Sequence, residues 1–182
     1  MRIAIHQPNF MPWYPFFEKI QSCDKFIMLT HCQFEKNGYQ NRFNFNDKWY
    51  TMSVKKGLEP IKDKIYLNPK NDWDRIKNKL PDYKSILDEF DNCIVESLEA
   101  TNWMIITKLC DMLDIKTEIV ADYPDTYTST DRLVDLCKTF GGTEYCSGVG
   151  AKAYLDESKF SNENIKVSYQ ETSTKKHTLE VL

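Results

Sequence analysis

Met1–Trp13, MRIAIHQPNFMPW, decides the fold. Arg2–Ile5 is a short apolar run with a β-branched bias. It stops at the polar pair His6-Gln7, followed by Pro8-Asn9 and then Pro12, and a helix-like stretch, Trp13–Ile20, begins at once. Apolar run, polar turn and helical stretch in that order predict strand, tight turn and helix from the first residues onward. In open α/β sheets, ligands bind in the crevice beyond the carboxyl ends of the strands. His6, Gln7 and Asn9 would stand at such an end, and packing alone does not call for three polar side chains there.

Outward from that segment, strands and helices alternate. Lys25–Leu29 reads as a strand buried on both faces, because its apolar residues are continuous. His31–Asn46 reads as a polar loop, and Trp49–Val54 as a strand that Lys64–Leu67 pairs with. Trp73, Ile76 and Leu80 have helical spacing, as do Tyr83, Ile86, Leu87 and Phe90, and a long stripe runs from Ile94 to Leu113. Ile115–Val120 reads as a strand. The helix striped by Leu133, Leu136, Cys137 and Phe140 is capped by Thr128, Ser129 or Thr130 and stopped by Gly141-Gly142. Thr143–Cys146 and Ile165–Tyr169 are the last strands. The order predicts one α/β domain over 1–178, a Rossmann-like and mostly parallel sheet with a helical insertion at about 71–113. The final LEVL matches the start of a common protease-cleavage tag, so 179–182 is set outside the functional reading.

The totals narrow the class of protein. The 182 residues suffice for one domain with a core, and 41% hydrophobic with 28% charged residues is ordinary for a soluble protein. A net charge of −3 argues against a broad phosphate-binding face, hence against nucleic acid as a partner, but allows a small basic pocket. Six cysteines without any C-x-x-C read as free thiols in a reducing cytoplasm. No apolar run approaches the roughly 20 residues of a membrane span, and the N-terminus lacks the pattern of a signal peptide. His31 and Cys32 are adjacent, but no second ligand pair follows, so no metal site is expected. No cofactor is evident either, apart from the Mg²⁺ that a nucleotide would bring.

Four segments are candidates for chemistry. His6, Gln7 and Asn9 form the first: His6 as a general base or a donor to an anion, against a plain role in satisfying the turn. The second is Gln33 and Lys36, then Gln40, Asn41 and Arg42. Its two cations suit an anionic ligand and its amides suit a sugar or base edge, against the usual fate of a solvated loop. The third is Ser129-Thr130-Asp131-Arg132, where free N–H groups of a helix start favour anions, although a simple cap explains most of it. The fourth is Ser147, Gly148, Gly150 and Lys152. These can bring backbone N–H groups and a charge to a phosphate, or merely turn the chain. The spacing is not that of a P-loop.

IAIHQPNF-x-PW, QFEKNGYQNR, STDRLVDLCK and GGTEYCSGVGAKAYLD stand in this order, and together they resemble the pattern of the WbqC-like protein family over roughly residues 1–170. The resemblance implies a cytoplasmic step in making a modified sugar for O-antigen or other surface polysaccharide, catalysed by a glycyl, aminoacyl or acyl transferase. The ligand would be a small molecule or a nucleotide-linked amino sugar. His6 would be the base, and Gln7 and Asn9 would orient the donor carbonyl. Lys36, Arg42 and Lys152 would hold phosphates, with Ser147, Gly148 and Gly150 as backbone donors. Lys175–Leu182 departs from the family's usual closing segment, so the chain is either truncated or a short member. A weaker resemblance is to nucleotidylyltransferases, which open with a His-x-x-His-like turn, but Asn9 stands where their second His belongs. A non-catalytic nucleotide-sugar binder and an aminoacyl transferase to a modified nucleic-acid base are the remaining alternatives.

Overall fold

The computed structural model describes Met1–Leu182. A five-stranded sheet forms its centre: β1 (Arg2–His6), β2 (Lys25–Met28), β5 (Glu118–Ala121), β6 (Glu144–Ser147) and β7 (Lys166–Tyr169). Their spatial order is β5-β2-β1-β6-β7, and every neighbouring pair is parallel. This is the expected α/β, Rossmann-like sheet. The remaining elements are α1 (Tyr14–Gln21), the hairpin strands β3 (Arg42–Phe45) and β4 (Lys48–Thr51), α2 (Pro69–Lys79), α3 (Lys84–Asp88), α4 (Leu98–Met112), α5 (Ser129–Thr139) and α6 (Glu157–Ser161).

Side chains that alternate along each strand divide the interior in two. Ala4, Phe26, Met28 and Cys146 face a large core with Phe16, Phe17 and Ile20 of α1, Ile105 and Leu109 of α4, and Phe43 and Phe45 of the hairpin. Ile3, Ile5, Ile27 and Tyr145 face a smaller core with Leu136 and Cys137 of α5 and Phe160 of α6. The reason lies in topology. From β1 the chain steps to β2 and β5 in one direction, then returns past β1 to β6 and β7. Right-handed crossovers put the helices of the two directions on opposite faces. The reversal opens a crevice between β1 and β6, at the carboxyl ends of the strands.

Two local expectations need correcting. The stretch read as a polar loop to Asn46 contains β3, which pairs with β4 through the turn Asn46-Asp47, where φ is +50° and +59°. Two left-handed residues in a two-residue loop twist as the strands do, and Asn and Asp tolerate that backbone. Lys64–Leu67 does meet the expected Trp49–Val54 stretch, but only at its end beyond β4, at the bridge between Val54 and Tyr66. At the start of α5 the expected side-chain caps are not made. Thr128 caps with no side-chain bond, Ser129 is left-handed at φ +53°, and the Thr130 hydroxyl instead accepts from the Asp156 N–H at 3.3 Å.

The chain end set aside in the sequence is packed into the fold. The Thr178 hydroxyl donates to the Pro12 carbonyl at 2.6 Å, and Leu179, 2% exposed, joins the large core. Truncating a buried leucine costs its transfer energy plus a cavity. Leu179→Ala is expected to lower unfolding stability by about 3 kcal/mol, measured by urea denaturation, whereas the exposed Leu182→Ala should leave the midpoint unchanged.

Candidate functional site

Two clefts open at the carboxyl end of β1. The first, about 700 Å³, is walled by Asn9, Phe10, Trp13, Tyr39, Gln40, Trp49, Lys175 and His177, among others. The second, about 610 Å³, lies against His31, Cys32, Gln33, Tyr127, the start of α5, Tyr145 and Tyr154. His6, Gln7 and Glu35 line both, so the β1 turn is the seam between them.

At the seam, His6 Nδ1 lies 2.8 Å from the Gln7 carbonyl oxygen. A carbonyl only accepts, so Nδ1 carries the proton and Nε2 keeps its lone pair. The ring packs edge-on to Phe16 at 5.2 Å. Burial, with the Lys19 ammonium nearby, pulls its pKa down to about 4, so His6 is neutral at physiological pH. The Gln7 Oε1 accepts from Gln40 Nε2 at 2.5 Å, and Gln7 Nε2 donates to Cys32 Sγ at 3.3 Å. One amide hydrogen of Gln7 is then still free. Gln40 is buried, and Gly38 leaves room for its side chain: a Cβ there would lie 2.6 Å from its Oε1. Fully buried Asn102 on α4 clips both loops, donating to the Pro8 carbonyl at 2.9 Å and the Gln40 carbonyl at 2.7 Å.

The second cleft rests on a residue outside the sequence candidates. Asp122, just past β5, accepts from the Thr30 N–H at 2.8 Å, the Thr30 hydroxyl at 3.1 Å, His31 Nδ1 at 2.9 Å and Arg132 Nη2 at 3.2 Å. Arg132 also pairs with Asp125 at 3.1 Å and Asp135 at 3.5 Å. Three carboxylates engage the guanidinium that was expected to bind substrate or phosphate.

The other expected cations are placed elsewhere too. Arg42 stacks 3.9 Å above Trp49 and donates to the Asn37 and Gly38 carbonyls, so it braces the loop before β3. Lys36 is exposed and lines neither cleft, and Lys152 lies 4.5 Å over the Tyr169 ring. Asn41 is buried and donates to the Met52 carbonyl at 2.7 Å, a bond that holds the hairpin. Ser147 is fully buried with an unpartnered hydroxyl, and Gly148 and Gly150 follow on the outer turn; none of the three lines either cleft. Of the sequence candidates, the structure gathers His6, Gln7, Asn9, Gln33 and Gln40 at the clefts, together with the wall of Arg132. The six cysteines are free. The Cys146 thiol is drawn down to about 6 by its hydrogen bond with Cys23 and the nearby Arg2 and Lys19, but it is fully buried beneath the sheet.

Glu35, Asp122, Trp49 and His177 were not singled out in the sequence, and His31 was considered only as a metal ligand. Asn46-Asp47 between alternating R-F-N-F and K-W-Y-T was the available signal for the hairpin that carries Trp49. His177 donates from Nε2 to the Met11 carbonyl at 3.0 Å, and its Nδ1 accepts from the Leu179 N–H at 3.2 Å. It packs against the Phe43 and Phe45 rings as a neutral wall of the first cleft.

Fold and site together define an α/β protein with a two-lobed crevice at the carboxyl edge of a parallel sheet. The chain belongs to the WbqC-like protein family, whose model matches residues 7–178. It is 28% identical over 187 residues to the uncharacterized protein Rv1507c of Mycobacterium tuberculosis (strain ATCC 25618 / H37Rv), which covers 92% of this chain and 81% of that relative. No solved structure matches it. No helix is long and apolar enough to cross a membrane.

The buried histidines set a pH dependence. Burial lowers His177 from 6.5 to about 4. Between those values the unfolded chain binds more protons than the folded one, so stability present above pH 6.5 is lost as pH falls toward 4. His177 alone contributes on the order of 3 kcal/mol to this loss. Urea midpoints at pH 7 and pH 4.5 should differ accordingly, and His177→Asn should flatten the difference.

Proposed function

We propose that this protein is a small-group transferase that carries an acyl or aminoacyl group from a donor in the first cleft to an amine in the second. The acceptor is an amino sugar on a nucleotide, used in surface-polysaccharide synthesis. The observation that carries this reading is the meeting of two separate clefts at one neutral imidazole with a free Nε2. A transferase holds two ligands with their reacting atoms in contact, and a seam residue facing both is placed for that step.

In this reaction the donor carbonyl lies toward Asn9 and the free amide hydrogen of Gln7, which stabilise the oxygen as it becomes negative. The acceptor nitrogen bonds to the acyl carbon and its proton passes to His6 Nε2, while the bond to the leaving group breaks. A low pKa suits His6, because a nitrogen already bonded to the acyl carbon is far more acidic than a free amine. The aromatic wall of Trp13, Tyr39 and Trp49 suits an organic donor. In the second cleft, the unbonded N–H groups that begin α5 suit the acceptor's phosphates. Lys36, Arg42 and Lys152 take no part in this assignment, and the engagement of Arg132 by carboxylates counts against the nucleotidyl-transfer alternative.

The test pairs binding with turnover. Acyl thioesters and aminoacyl donors are screened with nucleotide-linked amino sugars by thermal shift, since ligands of the folded state raise its melting temperature. A productive pair should give shifts that add when both ligands are present. His6→Gln should keep both shifts and slow product formation by about 10²-fold. Mutual displacement of the two ligands, or product at the wild-type rate from His6→Gln, overturns the proposal.

A further inference from the structure

We infer that the second cleft holds its own proton-transfer centre, the Asp122–His31 pair, and that it hydrolyses small activated esters there. The inference assigns no role to His6 or the first cleft, although it shares the second cleft and the start of α5 with the acceptor of the transfer reaction proposed above.

The pair has the geometry of an oriented base. His31 Nδ1 lies 2.9 Å from Asp122 Oδ1, and the Asp122 side chain is fully buried. The carboxylate accepts, so Nδ1 carries a proton, and in the neutral ring, which lines the cleft, Nε2 keeps its lone pair. Asp122 does not need this partner. The Thr30 N–H, the Thr30 hydroxyl, the His31 N–H and Arg132 also donate to its two oxygens, so the carboxylate is held whether or not the imidazole is present. Those bonds fix the carboxylate rigidly, and the carboxylate fixes the imidazole. The order of parts, buried acid to Nδ1 and free Nε2 to the substrate side, is that of an acid-oriented histidine base. His6, Cys32, Glu35, Asp125, Arg132 and the tyrosines Tyr127, Tyr145 and Tyr154 are the other ionisable groups on this cleft, and Arg132 is held by its three carboxylates.

The chemistry closes on itself. Nε2 takes a proton from water as the water oxygen bonds to the acyl carbon. The carbonyl oxygen becomes an oxyanion, for which the start of α5, where Ser129 and Thr130 line the same cleft, offers backbone N–H donors. The carbonyl re-forms, the bond to the leaving oxygen breaks, and the proton on Nε2 passes to that oxygen. Ester and water become acid and alcohol with no other reactant.

The probe is p-nitrophenyl acetate with the full chain. Wild type should hydrolyse it with saturation. His31→Asn retains an N–H where Nδ1 was and lacks Nε2, so it should keep the wild-type melting temperature and lose about 10²-fold in kcat with little change in KM. In His31→Ala, added imidazole should restore turnover beyond its own background catalysis. The ¹⁵N shifts of His31 provide a second readout that needs no turnover, and should show a protonated Nδ1 and a bare Nε2. Wild-type hydrolysis by His31→Asn, failure of imidazole to rescue His31→Ala, or a protonated Nε2 overturns the inference. These outcomes leave the His6 test untouched.

Discussion

One buried amide holds the crevice in shape. Asn102 sits on α4, on the far side of the large core from solvent, yet its Nδ2 bonds the carbonyls of both Pro8 and Gln40. Its Oδ1 accepts from the Tyr66 hydroxyl at 3.3 Å. The β1 turn and the loop before β3 are far apart in sequence, and neither has regular structure to align it with the other. A single side chain with two donors in a water-free place does so, because leaving either carbonyl unbonded there costs about 1–3 kcal/mol. The Gln40–Gln7 bond, and through Gln7 the carbonyl that sets the His6 tautomer, follow from that clip.

Asp122 plays the matching part on the other side of β1. It joins the end of β5 to the chain leaving β2 and to the first turns of α5. Each cleft thus has a buried polar hub some distance from its open groups: an amide behind the first, a carboxylate behind the second. A parallel sheet ends all its strands at the same edge, with backbone groups that the ladder no longer serves. Buried side chains that satisfy those groups also fix whatever stands beside them. The polar residues at this edge are therefore structural and positional at once, and the parts that remain open are the faces of His6, His31, Gln7 and the aromatic walls.

The fold was legible because its signals are local. Continuous apolar runs gave β1 and β2, stripes at helical spacing gave α2, α4 and α5, and their alternation gave a parallel sheet. The hairpin was missed because polar residues on its exposed face hid Phe43 and Phe45, which alternate inward. His6, Gln7 and Asn9 were legible at the site, since a strand end in an α/β sheet is where ligands lie. Asp122, Asn102 and His177 were not. Each acts on residues at least 60 positions away, such as Asp122 on Thr30, Asn102 on Gln40 and His177 on Met11. No spacing within a single sequence encodes such pairings. The cations misled for a related reason: a lysine or arginine in a polar segment looks free until its partners are seen.

That last point bears on the chemistry. Arg42 rests on Trp49, Lys152 on Tyr169, and Arg132 among three carboxylates. Lys175 is the lysine that lines the first cleft, which Glu35 also lines. The groups that meet at the seam are instead an imidazole held neutral by burial and two amides. Such a surface would bind by hydrogen bonds and aromatic contact, and would suit a transition state in which charge is small and moves with a proton. Acyl transfer to nitrogen fits that description. Phosphoryl transfer concentrates negative charge on three oxygens and calls for free guanidinium, ammonium or metal at the reacting centre. The proposal of acyl transfer over nucleotidyl transfer rests on the placement of these cations more than on the identity of any one residue.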